Sequence, residues 1–344
     1  MEEIDFFYVM AFVLPCIWVG MLAWIFKSTR SVSKKSTLFI IGWNVLFTLL
    51  LISISFFIGE TYYRFFVDRT DSFGLSKISQ RWLKRYYQPN NMTARDNIDY
   101  QLAIAPGKRR LTLIGDSFTA GHGIKNEDDR FGNILRNTYP ELEVHIIAVN
   151  GINSQTELEI LRKLDRDQYE FDIILLSYCL NDIDYLMPET QGIYNRIYDF
   201  EKTLGYFGTQ SYLINTLKFK WFAIQDPDFL RYSSFVKKAY QEELWETQKK
   251  VLNRIRRFSE EKGRVFAVVT FPFLQVKMEN YEFVDVHQKL NEFWKSENVL
   301  HLDLLETYEP YMGLGITVNK FDAHPNEFAN KLAAGKIGAF LKTN

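Results

Sequence analysis

Two long apolar runs lie near the start of the chain, and the hydrophobic pattern changes after them. They span residues 6–26 and 37–59, and neither contains a charged residue. Each is about as long as the ~20 residues that an α-helix needs to cross the hydrocarbon core of a bilayer. We therefore predict two transmembrane helices and integral membrane association. The alternative is a buried hairpin of a soluble core, although globular helices of this length normally carry charges on one face.

The charges beside the two runs predict their orientation. The stretch between them, residues 27–35, reads KSTRSVSKK and holds four basic residues, and acidic residues precede the first run. Acidic residues do not suit the basic start of a signal peptide. Because basic loops stay in the cytoplasm, we expect the loop around Ser31 to be cytoplasmic. Both termini and everything after Gly59 would then face the periplasm or the cell exterior.

Beyond residue 100 the pattern is a regular alternation of apolar strands and amphipathic helices. Predicted strands cover residues 111–114, 143–149, 172–180, 264–273 and 299–305, and predicted helices cover 131–137, 155–164, 236–262, 283–296 and 326–341. Strands that are apolar without alternation, separated by helices, indicate a parallel sheet covered on both faces. Ligands of such sheets collect at the carboxyl ends of the strands.

This pattern divides the chain into three predicted parts. Residues 1–59 form a two-helix transmembrane anchor, 60–100 an aromatic and basic connector along the membrane surface, and 101–344 one catalytic domain. Within that domain, residues 183–235 are rich in aromatic residues and show no clear periodicity. They form either a lid or sugar-stacking cleft, or an insertion packed on the domain or on the bilayer surface.

The composition of the chain excludes some classes of protein. The formal net charge is -1 and 47% of the residues are hydrophobic, which is too neutral for a nucleic-acid binder and too apolar for a disordered chain. The two cysteines, Cys16 and Cys179, both lie in apolar runs. They predict no disulfide framework.

Residues that could take part in catalysis follow four of the predicted strands. Ser117 follows the first strand, Gly151 the second and Asn181 the third, and Asp322 and His324 follow the last strand and a loop. Singly, each has a structural explanation as a helix cap, a turn or a surface histidine. Together they predict a site at one edge of the sheet.

The residue types fit nucleophilic catalysis on an ester. A serine hydroxyl needs a base, and we assign Ser117 as the nucleophile and His324 as its base, because the other four histidines lie in less suitable positions. Asp322 is the nearest acid that could orient the imidazole. Donors to an oxyanion could come from the backbone N–H groups of Ser117 and Gly151 and from the Asn181 amide.

These blocks resemble the SGNH (GDSL-like) hydrolase superfamily. They read GDSFTAG from Gly115, Asn150-Gly151, LND ending at Asp182, and DAHPN from Asp322. The resemblance implies a flavodoxin-like three-layer α/β/α domain, no metal or organic cofactor, and acyl-ester hydrolysis through a serine acyl-enzyme. The chain departs from the family pattern in two places. One residue separates Asp322 from His324, where the family often has two. Leu180 stands where many members have glycine.

Three functions follow as expectations. The leading one is an anchored esterase that removes acyl groups, acetyl foremost, from an envelope or exported glycan or a lipid-linked substrate. An O-acyltransferase would use the same residues to pass the acyl group to a sugar hydroxyl. A noncatalytic glycan-binding protein on a hydrolase fold is the third. The sequence does not identify the acyl group or the acceptor.

Overall fold

The computed structural model describes residues 4–30 and 36–343 and separates them into two compact units. The first unit, which we call the anchor unit, comprises the described residues of Met1–Arg69, with Leu75–Gln80 and Tyr198–Gln225. The second, which we call the sheet unit, comprises Thr70–Gly74, Arg81–Ile197 and the described residues of Asp226–Asn344. Residues 198–225 cluster with the anchor helices, and parts of the predicted connector cluster with the sheet. The predicted three-part division stays a prediction.

Fifteen helices and seven strands are present in the described residues, besides short 3₁₀ and π turns. The helices are α1 (Phe6–Ser28), α2 (Thr37–Thr61), α3 (Lys77–Tyr86), α4 (Ser117–Ala120), α5 (Phe131–Thr138), α6 (Ser154–Arg166), α7 (Pro188–Thr203), α8 (Gly205–Gln210), α9 (Tyr212–Gln225), α10 (Pro227–Leu230), α11 (Tyr232–Ala239), α12 (Glu242–Glu260), α13 (Val284–Ser296), α14 (Leu305–Tyr308) and α15 (Glu327–Thr343). The strands are β1 (Arg109–Gly115), β2 (Leu142–Ala148), β3 (Ile173–Cys179), β4 (Val265–Phe271), β5 (Leu300–Asp303), β6 (Thr317–Asn319) and β7 (Asp322–Pro325).

In the anchor unit, α1 and α2 are long and apolar enough to span a membrane. Their most apolar windows have mean hydropathies of 2.3 and 2.2, and only 17% and 6% of those windows are buried. This exposure argues against a hairpin enclosed in a soluble core, where such side chains would be covered. Ser31 and its neighbours in the basic loop, residues 31–35, lie outside the described residues, so the predicted orientation stays a prediction.

In the sheet unit, β1 to β5 form a parallel sheet in the order β2-β1-β3-β4-β5. This is the flavodoxin-like order of a doubly wound sheet, so the predicted fold class is confirmed. Gly115 at the end of β1 is level with Ala148 of β2 and Ser177 of β3. The loops that follow these three strands therefore start at the same edge.

Burial explains why these segments are strands. Every residue of β3 is buried, and six of the seven residues of both β1 and β4 are buried. Their branched apolar side chains contribute about 1.5–3 kcal/mol each when fully buried. A strand covered on both faces has no reason to alternate polar and apolar residues, which is the pattern seen in the sequence.

Two elements differ from the sequence prediction. The predicted helix 236–262 is interrupted, because α11 ends at Ala239 and α12 begins at Glu242. Between them Tyr240 is fully buried and donates a hydrogen bond of 2.9 Å to the carbonyl oxygen of Leu180. The antiparallel hairpin of β6 and β7 was not predicted, because strands of three and four residues are too short to show a period.

The segment 183–235, which shows no periodicity, is mostly helical. It contains the turn after β3, helices α7 to α10 and the start of α11. Its pattern was hard to interpret because α9 exposes large apolar residues on the face opposite to its buried side chains.

Candidate active site

Ser117 lies on the sharp turn that joins β1 to α4. Gly115 is required before it, because a Cβ there would clash with the Thr119 hydroxyl and lie 2.9 Å from the carbonyl oxygen of Ser177. Asp116 caps α4, since its Oδ1 accepts a hydrogen bond of 2.8 Å from the backbone N–H of Phe118. The turn therefore presents Ser117 at the edge of the sheet, with the side chain mostly buried.

His324 and Asp322 lie on β7, and His324 contacts Ser117. His324 Nε2 is 2.7 Å from Ser117 Oγ, and His324 Nδ1 is 2.6 Å from Asp322 Oδ1. The short spacing between the acid and the histidine fits this strand, because side chains at i and i+2 point to the same face of an extended chain. Asp322 Oδ1 also accepts the backbone N–H of His324 at 3.1 Å.

These contacts assign the protons of the resting site. An ionised Asp322 accepts the Nδ1–H of His324, which leaves the Nε2 lone pair to accept the hydroxyl proton of Ser117. Burial opposes the charge on Asp322, but His324, His122 and a hydrogen bond from the Thr70 hydroxyl outweigh it and lower the pKa of Asp322 to about 2. The orienting acid is thus charged throughout the neutral range.

The predicted oxyanion donors lie on the neighbouring loops. Asn181 follows β3, and its Nδ2 is 3.5 Å from Asp116 Oδ2, which is itself 3.4 Å from Ser117 Oγ. Gly151 follows β2 in an exposed turn with φ +75, a left-handed conformation that glycine adopts without strain. Asn181 and Gly151 therefore lie on loops that start at the edge where Ser117 lies. That these two residues donate to an oxyanion stays a prediction.

His122 belongs to this site, although the sequence favours His324 over it as the base. Its ring centroid is 4.5 Å from that of His324, and its Nε2 is 3.6 Å from Asp322 Oδ2. Nε2 donates to the carbonyl oxygen of Asp71 at 2.9 Å, and Nδ1 accepts from Asn150 Nδ2 at 2.9 Å. His122 therefore links the loop after β2 to the acid.

The environment of His122 keeps its ring neutral. Burial, reinforced by the charge of His324, lowers the pKa of His122 to about 4. Both ring nitrogens are engaged as one donor and one acceptor, which is the pattern of a neutral imidazole. His122 consequently has no nitrogen left to act as a base toward Ser117.

Part of the predicted connector contributes to the site. The Thr70 hydroxyl donates to Asp322 Oδ2, and Ser72 Oγ accepts from the backbone N–H of Ala323 at 3.0 Å. Together with Asp71 these residues hold β7 and His122 in place. No motif surrounds them in the sequence, and a contact across about 250 positions has no local pattern to reveal it.

Three carboxyl groups are fully buried near this edge of the sheet. They are Asp116, Glu157 and Asp182, and burial raises the pKa of each, with repulsion among them adding to the effect for Glu157 and Asp182. Asp182 Oδ2 accepts the backbone N–H of Cys179 at 2.8 Å, which fixes the turn that carries Asn181.

One group of residues has the composition of a metal site. Potential ligand atoms of His122, Asp322 and His324 lie within 4.8 Å of one another. Each of these residues already makes hydrogen bonds, to Asp71, Thr70 and Ser117 respectively. Binding a cation there would break the contacts that position the base, so the donor set does not fit a resident metal.

Comparisons with known proteins give structural similarity only. No protein-family model matches the sequence, and no significant match is found among curated proteins. The fold is similar to a member of the lipolytic G-D-S-L family from Veillonella parvula, at 14% identity and TM-score 0.42, covering 66% of this chain and 95% of that one.

Two esterases are similar to the same degree. A psychrotrophic esterase from Pseudoalteromonas matches at 13% identity and TM-score 0.40, covering 69% of this chain and 98% of that one. A two-domain esterase active on acetylated mannans matches at 13% identity and TM-score 0.42, covering 69% of this chain and 50% of that one. The present chain thus spans about half the length of that two-domain protein.

These identities and TM-scores show no more than a similarity of fold. The sheet has the flavodoxin-like order, the four sequence blocks lie at one edge of it, and serine, histidine and acid form one hydrogen-bonded chain. The sheet unit therefore has a flavodoxin-like fold, with the serine, histidine and acid of the sequence blocks together at one edge of its sheet.

Proposed function

We propose that this protein is a membrane-anchored serine esterase that removes acyl groups, acetyl foremost, from an envelope or exported glycan. The observation that carries the proposal is the pair of contacts at His324, 2.7 Å from Ser117 Oγ and 2.6 Å from Asp322 Oδ1. Such an arrangement converts a serine hydroxyl into a nucleophile. The apolar helices α1 and α2 favour a substrate at the cell surface over a soluble metabolite.

The chemistry proceeds in two steps. His324 Nε2 takes the hydroxyl proton as Ser117 Oγ attacks the ester carbonyl carbon, and the oxyanion is held by the N–H groups of Ser117 and Gly151 and by Asn181 Nδ2. The carbon–oxygen bond to the sugar then breaks, and the sugar oxygen takes the proton from His324. Water then loses a proton to His324 Nε2 and attacks the carbonyl carbon of the acyl-enzyme. The bond from that carbon to Ser117 Oγ breaks, Oγ takes the proton back from His324, and the free acid leaves.

The test uses the full-length protein in lipid nanodiscs with acylated polysaccharides. We expect loss of the acyl mass from the glycan and release of the free acid in equal amounts. Addition of an unacylated acceptor glycan separates hydrolysis from transfer, because an acyltransferase would move the acyl mass to it. A protein that neither releases acid nor reacts with a serine-directed fluorophosphonate would contradict catalysis altogether.

The orientation of the anchor is part of the proposal. A cysteine introduced at Ser31 should resist a membrane-impermeant thiol reagent in intact cells, because the basic loop faces the cytoplasm. A cysteine at Glu261, an exposed residue of the sheet unit, should react. The opposite labelling pattern would place the catalytic unit inside the cell.

The role of Asn181 is tested by its replacement with alanine. We expect Asn181→Ala to lower kcat by about 10² to 10³ with little change in KM, because a donor to the oxyanion strengthens mainly in the transition state. The measurement is steady-state hydrolysis of a chromogenic acetyl ester. A change confined to KM would reassign Asn181 to substrate binding.

The pH profile tests the assignment of the base. Asp322, with its pKa at about 2, and His122, with its pKa at about 4, do not change charge above about pH 5. Acceptance of the hydroxyl proton of Ser117 requires a base that carries no proton, so we expect kcat/KM to rise with pH through one ionisation that belongs to neither Asp322 nor His122.

Asp116 is a titratable group in contact with the nucleophile, and burial raises its pKa. Asp116→Asn removes that ionisation and keeps the side chain's size. The acid limb should keep its position in this variant. A limb that shifts or disappears would show that the ionisation of Asp116 controls the activity.

A further inference from the structure

The anchor unit contains an ionic cluster where the ends of three helices meet. Arg64, in the π turn that follows α2, is fully buried and pairs with Glu60 at 2.8 Å and with Asp5 at 2.9 Å. Asp5 caps α1 by accepting the backbone N–H of Tyr8 at 2.8 Å. The start of α1 and the end of α2 are thus joined by charges directly beside their apolar spans.

The same cluster holds the start of α9. Glu60 accepts the backbone N–H groups of Tyr212 and Leu213, each at 3.0 Å, and the Ser211 hydroxyl at 2.6 Å. These N–H groups have no acceptor within their own helix, so the carboxylate acts as their cap. The end of α2 packs closely against the start of α9, because a Cβ at Gly59 would lie 2.9 Å from Leu213 Cδ2.

α9 exposes an apolar face away from its packed side. Leu217, Trp221 and Ile224 recur at i, i+4 and i+7 and are 53%, 69% and 59% exposed. The opposite side of the helix is covered, with Asn215 and Phe219 buried. A helix surface that faces water normally carries polar residues, whereas this exposed face is apolar.

Helix α8 adds two more exposed aromatic side chains at the same end of the anchor helices. Tyr206 is 62% exposed and Phe207 63% exposed. The Phe207 ring lies 6.3 Å from that of Phe7, near the start of α1. Tyrosine and tryptophan are the residues that concentrate at the boundary between lipid and water.

We propose that α8 and α9 lie in the interface of the lipid bilayer, with Leu217, Trp221 and Ile224 inserted among the lipid headgroups. The inference rests on the proposed membrane anchoring. Charges beside a membrane span stay at the water boundary, so the Glu60–Arg64 cluster marks that boundary and places the start of α9 there. A helix that starts at this depth with an apolar exposed face is an interfacial helix, which buries that face by about 5–10 Å.

The consequence for function is that the segment 198–225 binds lipid and is not a catalytic lid. The anchor then contacts the bilayer through two spanning helices and one helix along its surface.

The experiment uses the full-length protein in lipid nanodiscs and nitroxide labels on single cysteines. Cys16→Ser removes the exposed native thiol, and Cys179 is fully buried. Leu217, Trp221 and Ile224 are replaced one at a time by cysteine, and each cysteine is labelled. We expect each label to lose accessibility to a water-soluble nickel chelate and to keep accessibility to oxygen, which concentrates in lipid.

Two reference positions separate this proposal from the anchoring on which it rests. Leu51, an exposed residue of α2, should report lipid, and Glu261 should report water. If the label at Leu51 reports lipid and the labels on the α9 face report water, the interfacial helix is overturned and the anchor stays intact. Protection of that face from both reagents also overturns it, because protein then covers the helix, as a second copy of the chain would. Water at Leu51 overturns the anchoring itself.

Discussion

Replacement of Ser117 or His324 by alanine is expected to remove nearly all turnover, a loss of about 10⁶ in kcat. The two side chains act as one unit, because Nε2 of His324 lies 2.7 Å from Oγ of Ser117 and neither works without the other. The double variant should therefore be no more than slightly worse than either single one. The measurement is hydrolysis of a chromogenic acetyl ester, with circular dichroism to show that each variant is folded.

A matched control is available in Ser296, which is exposed near the end of α13. Ser296→Ala should retain full activity and full labelling by a fluorophosphonate, whereas Ser117→Ala should lose both. Additive losses in the double variant would mean that Ser117 and His324 do not cooperate. Residual labelling of Ser117→Ala would identify a second reactive serine.

Replacement of Asp322 by asparagine should lower kcat by about 10⁴, which is severe but milder than the loss of Ser117 or His324. The amide that Asp322→Asn introduces keeps the shape of the carboxylate but can donate to Nδ1, and His324 would then adopt the tautomer that carries its proton on Nε2. That proton faces Ser117 Oγ and prevents His324 from acting as a base. Comparison of kcat and KM with wild type measures the effect.

The Thr70 hydroxyl provides a graded control for this assignment. Thr70→Val removes the hydrogen bond to Asp322 Oδ2 and retains the size of the side chain. Its loss should raise the pKa of Asp322 and reduce activity far less than Asp322→Asn does. If Asp322→Asn stays within about twofold of wild type, another group orients His324 and the short acid–histidine spacing is irrelevant to catalysis.

Much of the fold was predictable because local sequence carries it. The five sheet strands were located from apolar runs, since β1, β3 and β4 are buried on both faces and have few polar positions. The same reasoning was wrong at Tyr240, where the helical pattern continues but the chain turns. There the burial of one tyrosine against β3, together with a hydrogen bond to Leu180, outweighs helical propensity.

The candidate site was predictable only as far as strand ends reveal it. Ser117, Gly151 and Asn181 each follow a strand, and parallel strands end at one edge, so their proximity follows from sheet topology. The orientation of His324 by Asp322 depends on the hairpin of β6 and β7, whose strands are too short to be recognised by period.

Local patterns of residue types were enough to locate the two apolar spans, the parallel sheet and the four blocks with their serine, histidine and acid. Which distant residues serve these elements became visible only in the folded chain. Folding brings Thr70 to Asp322 and His122 to His324, and it joins Glu60 of the anchor to the start of α9. These contacts depend on how the chain returns in space, and no spacing along the sequence encodes a hydrogen bond between residues about 150 or 250 positions apart.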